Sequence, residues 1–177
     1  MPSLVQSGNS GTTSTSSGAA ATVFAANTTV GNTVLVCVQI GVPSAPDVTS
    51  ITSSIGTFTR VNDFSDGNND YEWWVCLAAT GAAKTVTITT TGGQPYTAMA
   101  MEWPPALGAA DGGHATGTGT TPLLAITPPN TGSVVAATAT MYNGGITAPG
   151  GAWTNIGGWT AKPSPDRRAV SRGTMGR

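Results

Sequence analysis

Thr33-Val34-Leu35-Val36-Cys37-Val38-Gln39-Ile40 is a short, almost unbroken apolar run rich in β-branched residues. Such a run fits a central strand of a sheet covered on both sides. A second stretch, Lys84-Thr85-Val86-Thr87-Ile88-Thr89-Thr90-Thr91, alternates strictly. Side chains along a strand point to opposite faces in turn, so Val86 and Ile88 face inward and the threonines face out. Together the two stretches set the fold class, because neither period suits an amphipathic helix.

The pattern continues on both sides. Residues 22–26 precede a turn at 27–32, and 48–54 form a weaker Thr/Ser-rich strand that turns at Ile55-Gly56 into a strand at 58–62. The Asp/Asn-rich stretch 63–70 reads as a hairpin loop leading to a strand at 71–77. Residues 96–103 form the next strand, ended by Pro104-Pro105 because proline cannot donate to a ladder. A long Gly/Ala/Thr connection follows at 104–121, then strands at 122–127 and 133–142 and an aromatic one near 153–159. Nine or ten short strands with Gly/Pro punctuation and no amphipathic helix predict an antiparallel β-sandwich, jelly-roll or immunoglobulin-like, with extended termini. The organisation expected is an N-terminal arm or edge strand at 1–20, a sandwich at 21–161 and a basic tail at 162–177.

Composition narrows the function. Only 8% of residues are charged against 39% hydrophobic, with a net charge of −1. A usual domain is about a quarter charged. A surface of Thr, Ser, Asn and Gly with so little repulsion favours self-association. The charge that exists is segregated: residues 1–161 hold seven acids against Arg60 and Lys84, whereas 162–177 hold five of the seven bases. An acidic body and a basic tail predict head-to-tail contact between copies, with Arg167, Arg168 and Arg172 as tail contacts.

The N-terminus lacks a basic region followed by an apolar core, so no secretory signal is read there, and no run approaches a membrane span. Cys37 and Cys76 both lie in strand-like runs, where a bridge across neighbouring strands is geometrically open; in a chain with no sign of secretion the favoured reading is two buried thiols.

Catalytic chemistry finds few residues. His114, the one histidine, has no second histidine to complete a common metal site, and no Gly-x-Ser-x-Gly elbow accompanies it. The carboxylate cluster at 63–72 fails the EF-hand register, with Asn68 at the glycine position and Trp74 at the final glutamate position. Glu72 and Glu102 lie on separate strands; a glycosidase pair would further need a cleft and a suitable separation. No catalytic residue, metal or cofactor is expected. Trp73 and Trp74, being adjacent, must face opposite sides of their strand. Trp73, Trp74 and Trp103 are the candidate interface anchors, since tryptophan is over-represented at interfaces. No basic patch interleaved with aromatics marks the body, so no specific nucleic acid is expected.

The segments Val30-Gly31-Asn32-Thr33-Val34, Val48-Thr49-Ser50-Ile51-Thr52, Phe58-Thr59-Arg60-Val61, Glu72-Trp73-Trp74, Thr85-Val86-Thr87-Ile88-Thr89 and Ala98-Met99-Ala100-Met101-Glu102 carry a resemblance over about residues 20–160. They resemble a β-sandwich module of bacteriophage virion structural proteins that also occurs in bacterial surface proteins. Where such modules finish on a further alternating strand, this chain has its basic Pro/Arg tail. The resemblance implies a non-enzymatic virion component, a capsid decoration or tail-associated protein assembled in the host cytoplasm. Its partners would be copies of itself or a capsid or tail protein. The alternative is a carbohydrate- or receptor-binding module of a tail tip or cell surface, which places outward tryptophans beside the 63–70 loop and binds surface glycans.

Overall fold

The computed structural model describes residues 4–13, 19–40, 48–65, 70–91, 96–105, 135–141, 153–154 and 169–175. Every regular element of length in these segments is a strand, as the alternation predicts. The strands are β1 (Gln6–Thr13), β2 (Ala19–Val23), β3 (Thr33–Ile40), β4 (Val48–Thr52), β5 (Thr59–Ser65), β6 (Asp70–Cys76), β7 (Thr85–Thr90), β8 (Tyr96–Trp103), β9 (Val135–Met141), β10 (Trp153–Thr154) and β11 (Ala169–Met175). They fall into two compact units, one of residues Leu4–Ile126 and one of Met1–Ser3 with Thr127–Arg177.

The first unit is an antiparallel β-sandwich of a five-stranded sheet, β1-β8-β3-β6-β5, and a three-stranded sheet, β2-β7-β4. β1 pairs with β8, β2 with β7 and β3 with β6. These nested pairs are what a long antiparallel hairpin makes when it is rolled into two sheets, the jelly-roll arrangement. Closing that pattern would pair β4 with β5. Instead β5 pairs with β6, so the larger sheet gains the strand that the smaller one lacks.

Alternation builds the core. Val34, Val36, Val38 and Ile40 of β3, with Tyr96, Ala98 and Ala100 of β8, meet Val86 and Ile88 of β7 and Val48 and Ile51 of β4. Phe24, Ile55, Phe58 and Ala79 from the connections close the ends of the cluster. The opposite face of the five-stranded sheet is also apolar at its centre, where Cys37, Val75, Met99 and Met101 are buried. β3 is therefore buried on both sides, which is why its sequence is continuous rather than alternating.

Two glycines are fixed by geometry. Gly31 turns the chain into β3 with a φ of 91°, and its N–H donates to the Ala79 carbonyl at 2.8 Å. Gly8 lets β1 pass over β2, since a Cβ there would stand 2.4 Å from the Val23 carbonyl oxygen. Three of the outermost strands are bulged: β1 between Asn9 and Thr12, β4 between Val48 and Ser50, and β5 between Arg60 and Asn62.

Two spans differ from the sequence reading. β5 runs on to Ser65, into the stretch read as a loop, because Phe64 stacks across the ladder on Tyr71 and extends it. In the second unit, β11 lies within the span read as a basic tail and pairs antiparallel with β9, from Ala169 opposite Met141 to Met175 opposite Val135. β10 completes that three-stranded sheet on the other side of β11. The strand expected at 122–127 lies outside the described residues.

Candidate functional site: the two faces of the β5–β6 hairpin

The β5–β6 hairpin carries the densest chemistry among the described residues. Its register places Arg60 opposite Trp74 and Asp63 opposite Glu72 on the core side, and Asn62 opposite Trp73 and Phe64 opposite Tyr71 on the outer side. The adjacent tryptophans thus face opposite ways, as a strand requires.

On the core side the Glu72 side chain is fully buried. Its carboxylate accepts from the Val48 N–H at 2.5 Å, the Trp74 indole N–H at 2.8 Å and the Arg60 guanidinium at 3.5 Å. Arg60 also pairs with Asp63 at 3.0 Å. Val48 begins β4, so Glu72 ties the five-stranded sheet to the three-stranded one. Burial pushes its pKa above the usual carboxylate value despite the Val48 and Trp74 donors and the Arg60 charge, and the Asp63 charge pushes it further up.

A second buried carboxylate, Glu102 of β8, ties down the other end. It accepts from the Thr29 N–H and the Asn32 side-chain amide, both at 2.7 Å, and from the Gln6 amide at 2.5 Å. Gln6 in turn accepts from the Ala26 N–H at 3.1 Å. Burial alone would raise the Glu102 pKa, but the Thr29, Gln6 and Asn32 donors outweigh it and hold the carboxyl below its usual value.

The two glutamates do not form a catalytic pair. Glu72 is in register with Val38 and Glu102 with Val34, on strands flanking β3. Four residues along a strand and two strand spacings across put them roughly 16 Å apart. Glycosidase carboxylates stand about 5–9.5 Å apart.

On the outer side Phe64 and Tyr71 stack with centroids 6.1 Å apart and planes at 21°. Trp73 follows Tyr71 by two residues on the same face, with Gln39 and Cys37 in register on β3. Phe64, Tyr71, Trp73 and Asn62 are all partly exposed.

Of the anchors predicted from sequence, Trp73 belongs to this outer row. Trp74 packs against the core and bonds Glu72. Trp103 lies at the end of β8, only 9% exposed. Arg172 sits on β11 opposite Thr138, and Arg167, Arg168 and His114 lie outside the described residues. Cys37 and Cys76 are both buried free thiols, and their registers put them on opposite faces of the sheet. Among the described residues no group of three or more His, Cys, Asp or Glu is placed to hold a metal ion, and no helix is long and apolar enough to cross a membrane.

Sequence reasoning passed over Glu72 and Glu102 as structural groups and Tyr71, Phe64 and Asn62 as surface ones. The signal for the glutamates was a charge at an inward position of an alternating strand, Tyr-Glu-Trp and Met-Glu-Trp, which demands buried donors. No family model, curated protein or solved structure matches the chain.

Proposed function

We propose that this protein is a non-enzymatic structural component of a bacteriophage virion, a capsid decoration or tail-associated protein that packs against copies of itself or an underlying protein lattice. The observation that carries this reading is the outward face of the three-stranded sheet. Val23, Ser50, Thr52, Thr85, Thr87 and Thr89 face away from the core, exposed or half-exposed, without one charge among them. Soluble monomers ordinarily intersperse charges of both signs over such a face to keep copies apart. Short hydroxyl and methyl side chains with no charge to desolvate leave it suited to close packing. The resemblance of the strand motifs to virion sandwich modules supplies the setting, and the acidic body and basic C-terminal segment supply an attraction between copies.

Light scattering on the full chain, alone and as the R167E/R168E variant, tests the reading. The full chain is expected to be oligomeric at low ionic strength, and the variant smaller with unchanged circular dichroism. A full chain that stays monomeric across concentrations and binds no lattice protein would sink it.

A further inference from the structure

We propose that the outer face of the β5–β6 hairpin is a binding platform for a neutral oligosaccharide, with Tyr71 and Trp73 as the stacking rings. This site lies on the other sheet from the uncharged threonine face and does not depend on the assembly reading.

Three observations converge on that ligand chemistry. The first is the row itself. Tyr71 and Trp73 are two residues apart on one strand and on one face, which spaces them about 6.6 Å along a line. Phe64 stacks on Tyr71 and holds its ring from the neighbouring strand. A line of rings on a rigid sheet suits a chain of rings laid along it. Sugar rings present C–H groups on their faces, and the negative face of an aromatic ring attracts these.

The second observation is what flanks the row. Asn62, partly exposed, is paired with Trp73. Side-chain amides both donate and accept, so they match hydroxyls, which do the same. The third is charge. Among the described residues Arg60, Asp63 and Glu72 all belong to the core side of the hairpin, leaving Asn62, Phe64, Tyr71 and Trp73 as the partly exposed residues of its outer side. Stacking platforms for single-stranded nucleic acid pair their aromatics with a cationic groove for the phosphates. Here the flanking group among the described residues is an uncharged amide, Asn62, which favours a neutral sugar.

The test is affinity electrophoresis of the full chain through gels containing hydroxyethyl cellulose, laminarin or galactomannan, with heparin and polysialic acid as charged controls. At least one neutral polysaccharide should retard the protein. Tyr71→Ala and Trp73→Ala should each weaken that binding about tenfold, and Asn62→Ala by a smaller factor. Should an alanine variant fail to fold, Trp73→Phe decides. It keeps an aromatic ring in place and must abolish the change in tryptophan emission that the polysaccharide produces in the unaltered chain. Three results would overturn the proposal: no retardation by any neutral polysaccharide, retardation only by the charged controls, or unaltered binding in folded Tyr71→Ala and Trp73→Ala. A protein that fails here yet oligomerises leaves the assembly reading standing, and one that binds sugar while staying monomeric and binding no lattice protein does the reverse.

Discussion

The two buried glutamates carry opposite pH dependence. Glu102 is held below its ordinary value of 4.5 in the folded chain, so the unfolded chain binds a proton first as pH falls. The stability Glu102 adds is therefore present above pH 4.5 and lost as pH falls through its folded value. Glu102→Gln should cost about 1.5–3 kcal/mol at pH 7, the range for hydrogen bonds to a charged group. Urea unfolding should show that cost shrinking below pH 4.5. Glu72 has the reverse sign. Its folded pKa lies above 4.5, so the folded chain keeps a proton that the unfolded chain has released. Stability from Glu72 is complete below pH 4.5 and falls as pH rises through the folded value. Glu72→Gln cannot titrate, so its stability relative to the unaltered chain should improve between pH 4.5 and 7. A gap that stays constant over that range would show that Glu72 does not titrate there.

At the scale of elements, the sequence was legible wherever packing repeats with the period of the strand. Val86 and Ile88 face inward and Thr85, Thr87 and Thr89 outward as alternation requires, whereas Thr90, expected outward with the other threonines, is buried because it takes the next inward position; β3 is central as its unbroken run requires. Trp73 and Trp74 parted to opposite faces for the same reason. What alternation does not encode is which strand pairs with which. β5 could close the smaller sheet or extend the larger, and its own pattern suits either; the Phe64–Tyr71 stack is a tertiary contact. β11 was illegible because Ala169-Val170-Ser171-Arg172-Gly173-Thr174-Met175 mixes small, polar and basic residues, and its place is set by β9. The Tyr71–Trp73 platform was half legible: one outward tryptophan could be foreseen, but not which, nor its neighbours across the sheet. Gly8 likewise gave no sign of its role, since the crossing of β1 over Val23 joins strands of different sheets. Gly8→Ala should cost about 1–3 kcal/mol by forcing that backbone apart. The urea midpoint should fall with the slope unchanged.

The sandwich as a whole protects its thiols. Cys37 is 4% exposed and Cys76 2%, and burial raises the Cys76 pKa, so thiolate is scarce there as well as shielded. Their placement on opposite faces of one sheet rules out a bridge between them without rearrangement. A thiol reagent should therefore leave the native chain unmodified over the time in which the chain in denaturant reacts at both cysteines. Rapid reaction of one thiol under native conditions would locate a local opening on the face that carries it. The bulges in β1, β4 and β5 act at this scale too. Ribbon-like fibrils grow when a flat outer strand accepts the same strand of a neighbour, hydrogen bond by hydrogen bond. A bulge twists that row out of register, and at β2, the fourth outer strand of the sandwich, the backbone of β1 lies across Val23. A sandwich whose surface carries little charge thereby guards its own edges by backbone geometry, where other proteins use charged side chains.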